Sequence, residues 1–169
     1  MTRLTEVGAQ RSPESNGIHG ARDPVDILMV EDNPYDVDLM THALKEHVPV
    51  SQIKVVNDGE QALDFLFSTG DYATRDVTKK PRLILLDLHL PGIGGLEVLR
   101  QIRADSRTHD VPVAILTHWK EDENVIQGYR LGANSFLVKR HDFNEFMKAA
   151  QALGVYWLVL NTTPGKNAA

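Results

Sequence analysis

The stretch Leu83-Ile84-Leu85-Leu86-Asp87-Leu88-His89-Leu90-Pro91 is followed by Gly92, Gly94 and Gly95. Four aliphatic residues run into a single carboxylate, Asp87. The run is short and has no helical stripe, so it predicts a strand buried on both faces, as in a parallel sheet. Asp87 then stands at the carboxyl end of that strand, where open α/β sheets bind their ligands. A carboxylate there costs desolvation unless something compensates it. Taken alone, Asp87 reads as readily as a turn or cap residue. The rest of the chain has to supply the compensation.

Four further apolar runs flank this strand. Val25 to Val30 is a first strand, ending in Glu31-Asp32. Asn33 as N-cap and Pro34 at the first helical position announce a helix. That helix carries Val37, Met40, Thr41, Leu44 and Val48 at helical spacing, and Pro49 stops it. Ile53 to Val56 is a second strand, and Asp58-Gly59 leads into a helix with Ala62, Leu63 and Leu66 on one face. Residues 68–81 are polar and marked by Gly and Pro, so they read as a loop before the strand Arg82 to Asp87. Leu96, Leu99 and Ile102 mark a third helix. Val111 to Leu116 is a fourth strand ending in Thr117-His118, and a helix over 121–131 closes at Gly132. Ser135 to Val138 is a fifth strand ending in Lys139. Phe143, Phe146, Met147, Ala150, Leu153 and Trp157 form the stripe of the last helix. Five strands alternating with five helices predict an α/β fold with parallel pairing and helices on both faces. The expected fold is a flavodoxin-like, doubly wound five-stranded sheet of order 2-1-3-4-5.

Composition limits what such a fold can do. The chain has 169 residues, 42% of them hydrophobic, which suits one domain over residues 23–160. Residues 1–22 are too polar to join a core and are expected to form a disordered arm, with 161–169 a flexible tail. The net charge of -5 leaves no basic footprint for nucleic acid. The absence of cysteine excludes disulfides and thiolate chemistry. Neither a signal peptide nor an apolar span of membrane length is present, so no membrane association and a cytoplasmic location are expected.

In the predicted sheet all strand ends emerge on one edge. Glu31 and Asp32 end the first strand, Asp87 the third, Thr117 the fourth and Lys139 the fifth. Three neighbouring carboxylates repel one another, and a hard divalent cation relieves the repulsion. Mg²⁺ takes oxygen ligands, keeps waters and is often held by one or two carboxylates plus a phosphate. Asp87, at the centre, is a candidate nucleophile for an acyl phosphate. Thr117 and Lys139 are placed to bind phosphoryl oxygens and stabilise the charge of the transition state.

This set of residues resembles that of a response-regulator receiver domain of two-component signalling, over about residues 24–158. The resemblance rests on Glu31-Asp32, on Asp87 with Pro91 and Gly95, on Thr117, and on Leu131-Gly132-Ala133-Asn134-Ser135-Phe136 leading to Lys139. It implies that Asp87 is the phosphoacceptor. It also implies that Asp32 and Asp87 bind Mg²⁺ directly, Glu31 through water, and His89 through its backbone carbonyl. Thr117 and Lys139 would contact the phosphoryl group, and Thr117 and Phe136 would form the switch. Glu31-Asp32-Asn33-Pro34-Tyr35-Asp36, the long loop before the third strand and Tyr156-Trp157-Leu158 resemble the stand-alone regulators that partner bacterial phytochromes. A histidine kinase, of the bacterial phytochrome type, is thus the implied phosphodonor. Such a protein is not a conventional enzyme, although it catalyses its own phosphotransfer and dephosphorylation. Two other classes share parts of the pattern. A degenerate receiver would act only as a docking module, but here every pocket position is filled. A haloacid-dehalogenase-type phosphatase wants a second aspartate at position 89, where this chain has His89.

Two departures from the receiver pattern carry expectations. Arg140 follows Lys139 where receivers usually have proline, so a trans peptide or a strained turn is expected there. Phe136 lacks the hydroxyl of the commoner tyrosine, so a switch would act by packing. The bulky His118-Trp119 pair is expected to restrict access to Asp87. About eleven residues follow Leu158, so output is expected through protein contacts. Trp157, Leu158, Val159 and Leu160 are consecutive, and one helix face cannot bury all four. They are expected to contribute to a homodimer surface.

Overall fold

The computed structural model describes residues 25–118, 123–139 and 142–162. The expectations for the N-terminal arm, the tail beyond residue 162, Trp119 and the Lys139–Arg140 peptide lie outside those residues.

Five parallel strands form one sheet, β1 (Ile27–Val30), β2 (Ile53–Val56), β3 (Leu83–Asp87), β4 (Val113–Thr117) and β5 (Ser135–Val138). Their order is β2-β1-β3-β4-β5, the expected flavodoxin-like arrangement. β1 and β4 are each two residues shorter at the start than the apolar runs suggest. Val25 and Val111 pack on the core without joining the ladder.

The helices are α1 (Pro34–Leu44), α2 (Gly59–Phe67), α3 (Gly95–Ala104), α4 (Glu123–Arg130) and α5 (Phe143–Gly154). Local chemistry starts three of them. Asn33 accepts a hydrogen bond from the Tyr35 N–H with Pro34 behind it, Asp58 caps α2 through the Gln61 N–H, and Asp142 caps α5 through the Glu145 N–H. α3 has no side-chain cap. It needs Gly95 instead, because a Cβ there would lie 2.2 Å from the Asp87 carbonyl oxygen. Gly92, at φ +67°, makes the left-handed turn before it.

The central strands are apolar throughout because both faces are covered. Side chains alternate between the faces. Ile27, Met29, Leu83, Leu85, Ala114, Leu116 and Leu137 pack with α1 and α5, through Met40, Leu44, Phe146, Met147 and Ala150. Leu28, Val30, Ile84, Leu86, Val113 and Ile115 pack with α2 and α3, through Leu63, Leu66, Val98, Leu99 and Ile102. The polar stretch 68–81 is a loop with one 3₁₀ turn, Gly70–Tyr72.

The end of the chain corrects two expectations. Phe143 is not part of the buried stripe. It is the first residue of α5, half-exposed, and the core contact begins one turn later at Phe146. Beyond Gly154 the helix widens into a π turn, Val155–Leu160, closed by the Asn161 N–H on the Tyr156 carbonyl. Trp157 and Leu158 both turn inward there, so neither belongs to an exposed patch. The Trp157 indole N–H reaches Ser135 Oγ at 3.3 Å, and Arg82 donates to the Leu158 carbonyl at 2.5 Å. Tyr156, Val159 and Leu160 remain exposed. No described helix is long and apolar enough to cross a membrane.

Candidate functional site

The alternation that builds the core also sorts the strand ends. Counting in twos from Ile27 and Met29 reaches Glu31, from Leu83 and Leu85 reaches Asp87, and from Leu137 reaches Lys139. All three continue the rows that face α1 and α5. Counting from Val113 and Ile115 reaches Thr117, on the opposite face with Phe136.

The three residues of the α1 face meet. The Lys139 ammonium lies 2.6 Å from Glu31 Oε2 and 2.6 Å from Asp87 Oδ2. It also lies 3.0 Å from Oδ2 of Asp36, in the first turn of α1. All four side chains are buried. The other oxygens are held by the backbone: the His89 N–H donates to Asp87 Oδ1 at 3.0 Å and the Asn33 N–H to Glu31 Oε1 at 3.1 Å. Asp32 is exposed at the rim. Glu31, Asp32 and Asp87 each offer an oxygen within 4.8 Å of the others. An all-oxygen donor set with two members buried and one open to solvent suits a hard divalent cation that keeps part of its water.

The charges are unequally shared. Burial pushes the Glu31 carboxyl up to about 7 despite its contact with Lys139. Burial acts on Asp87 in the same sense, but hydrogen bonds from Lys139 and the His89 N–H outweigh it and hold Asp87 below the usual carboxylate range. Burial alone would pull Lys139 down, and its bonds to Asp87 and Glu31 instead raise it well above an ordinary lysine. The site without metal therefore keeps Asp87 ionised and Lys139 charged, and Glu31 is the group that gives way to a proton.

Thr117 is fully buried at the end of β4, and its carbonyl accepts from the Lys139 N–H at 2.7 Å. That bond carries Lys139 one step past β5 and aims it back over β4 towards β3. The His89 and His118 side chains are exposed. Phe136 packs under α4. A Cβ on Gly128 would lie 2.6 Å from its ring, and the Tyr129 ring centroid is 4.5 Å away. Sequence reasoning expected Glu31, Asp32, Asp87, Thr117 and Lys139 in one pocket. The structure brings Glu31, Asp32, Asp87 and Lys139 together and sets Thr117 at the adjoining strand end, in the row of the other face. It missed Asp36 as a pocket residue. The available signal was the strand alternation: a lysine on the α1 face, beside a helix starting at Pro34, meets whatever the first turn of that helix presents.

Comparison with known proteins agrees with this architecture. Residues 27–151 match the family model described as the response regulator receiver domain. The chain is 34% identical to the response regulator Rcp1 of Synechocystis over 141 residues, 83% of this chain and 94% of Rcp1. A solved Rcp1 structure, in a Mn²⁺-bound form, superimposes with a TM-score of 0.73 over 82% of this chain and 97% of that one. The phosphorylated cyanobacterial phytochrome response regulator RcpA gives a TM-score of 0.74 at 32% identity, covering 82% of this chain and 96% of that one. The bacteriophytochrome response regulator RtBRR gives 0.65 at 42% identity, covering 82% and 83%. The chain belongs to the response regulator receiver family of two-component signalling and is similar to its stand-alone, phytochrome-associated members.

Proposed function

We propose that this receiver, over residues 23–160, accepts a phosphoryl group on Asp87 from a histidine kinase and uses the added charge to switch a protein-interaction surface. The observation that carries the reading is the meeting of Glu31, Asp32 and Asp87 with Lys139 at one sheet edge. Asp87 is ionised and held by the His89 N–H, which leaves it nucleophilic and oriented. One of its oxygens bonds to phosphorus as the bond from phosphorus to the kinase histidine nitrogen breaks. Asp32 and Asp87 would hold Mg²⁺ directly, Glu31 through water and His89 through its carbonyl. The ion supplies neutralisation of the phosphoryl charge. Lys139 donates N–H bonds to phosphoryl oxygens and Thr117 its hydroxyl. Water attacking phosphorus later restores the carboxylate, so the protein is reset rather than turned over as a conventional enzyme.

The switch runs from Thr117 to Phe136. Both lie on the face opposite Asp36, and Phe136 is held between Gly128 and Tyr129 of α4. Drawing Thr117 towards a phosphoryl group changes the space beside Phe136 and so the seat of α4, a packing change that needs no tyrosine hydroxyl. The phytochrome-type kinase is supported by the similarity to RcpA and RtBRR across most of their lengths. A homodimer is supported by Tyr156, Val159 and Leu160, exposed together in the final π turn. The acidic net charge favours protein over nucleic-acid partners in a cytoplasmic setting.

Incubation with acetyl phosphate tests the reading. A gain of one phosphate by intact mass in Mg²⁺, absent in EDTA, is the expected result. No gain would place the chain among docking-only receivers, and steady release of inorganic phosphate without a labelled protein would point to a phosphatase.

A further inference from the structure

The Lys139 ammonium donates to Glu31 Oε2 and Asp87 Oδ2, and it is ion-paired at 3.0 Å with a third carboxylate oxygen, Asp36 Oδ2. Two of these carboxylates belong to the converging set of Glu31, Asp32 and Asp87. Asp36 does not. A divalent cation in that set, held by Asp87 directly and by Glu31 through water, would compete with the ammonium for both carboxylates. The lysine is almost fully buried, so the N–H groups released would face little water. An ammonium with no anion left would oppose metal binding; one that keeps an anion would not.

We propose that Asp36 is a positioning residue for Lys139, the partner that keeps the ammonium in the pocket when a divalent cation engages Asp87 and, through water, Glu31. This rests on the reading of the pocket as a metal-assisted phosphoacceptor site. Asp36 reaches Lys139 from the first turn of α1, at 3.0 Å against 2.6 Å for the other two. Its oxygen is further anchored by the Asn33 side-chain amide at 3.4 Å. Asp36 thereby anchors the ammonium and leaves the N–H groups now given to Glu31 and Asp87 for the oxygens of an incoming phosphoryl group. It also couples the start of α1 to the reaction without touching the phosphoryl group.

The test is a double-mutant cycle read by Mg²⁺ calorimetry on the unaltered chain, Asp36→Asn, Lys139→Met and the double variant. Asp36→Asn is expected to weaken Mg²⁺ binding by about fivefold or more when Lys139 is present, and to have little effect in the Lys139→Met background. Equal weakening in both backgrounds would mean that Asp36 acts only as a nearby negative charge, and would overturn the proposal. So would no weakening in either. If Lys139→Met does not fold, NMR of the Lys139 ammonium replaces the cycle. With Mg²⁺ saturating, its protons should stay protected from solvent exchange in the unaltered chain and lose protection in Asp36→Asn. Equal protection would contradict the assignment. If the unaltered chain takes up no Mg²⁺, the metal-site reading itself falls, a result distinct from Mg²⁺ uptake that ignores Asp36.

Discussion

Lys139 Nζ sits 2.6 Å from Asp87 Oδ2, although the two residues are 52 positions apart and β4 lies between their strands. The contact exists because both residues end rows that face α1, and because the Thr117 carbonyl turns the Lys139 backbone inward. The lysine balances only part of the charge around it, since Glu31 and Asp36 press on the same ammonium. The pocket is therefore held together, yet still electrostatically hungry for a second cation.

Removing the ammonium would leave buried carboxylates without a partner. Breaking a buried ion pair from one side costs about 3–5 kcal/mol. Lys139→Met is accordingly expected to lose about that much metal-free stability in urea unfolding, and to regain part of it in Mg²⁺. A loss like that of an exposed pair, about 1 kcal/mol or less, would show that the contact is not what holds the pocket.

Glu31 makes the pocket sensitive to pH. Burial raises its carboxyl from 4.5 to about 7. The native protein then binds more protons than the unfolded chain between those values, so this group's stabilising contribution is full below 4.5 and is lost as pH rises through about 7. Asp87 is shifted the other way, so its contribution fades only as pH falls through the acid range. Metal-free protein should thus lose stability from about pH 5 to about pH 7.5, and Glu31→Gln should flatten that slope. Saturating Mg²⁺, which favours the ionised carboxylate, should flatten it too. A slope unchanged by Glu31→Gln would contradict the assignment.

Gly95 sets how close α3 comes to the phosphoacceptor. A methyl at this position would meet the Asp87 carbonyl oxygen and the Leu88 Cα, both backbone. Overpacking against an unyielding neighbour costs about 1–3 kcal/mol. Gly95→Ala should lower stability by that amount and slow phosphorylation by shifting Asp87, whereas Gly94→Ala, at the uncrowded N-cap of α3, should cost only the weaker cap and leave phosphorylation unchanged. Thermal unfolding and the acetyl phosphate reaction measure the two effects.

The exposed end of the chain gives a test of assembly. Val159 and Leu160 face solvent while their neighbours Trp157 and Leu158 are core. Val159→Glu with Leu160→Glu should leave folding intact and shift sedimentation towards monomer. A dimer indifferent to both changes would place the interface elsewhere, and a monomer before any change would remove it.

Much of this was legible in the chain. The buried runs around Asp87, the Asn33-Pro34 helix start and the residues ending each strand carry strong local signals. They located the sheet order and four pocket residues. Other features depend on geometry that no local pattern encodes. Asp36 joins the pocket through a tertiary contact, the first turn of α1 meeting Lys139 past the end of β5, which strand alternation hints at but no motif marks. Trp157 and Leu158 turn inward where the helix widens after Gly154, a change of period that the apolar run Trp157–Leu160 does not announce. Phe143 looked apolar enough for the core, yet lies one turn before α5 meets it.

The central claim is that Asp87 itself carries the phosphate. Borohydride reduces an acyl phosphate of aspartate to homoserine, so the protein can be phosphorylated with acetyl phosphate and Mg²⁺, reduced, digested and sequenced by mass spectrometry. Homoserine at position 87, absent without Mg²⁺ and absent in Asp87→Asn, is the result expected. Modification at any other residue, or a phosphate gain undiminished in Asp87→Asn, would contradict it.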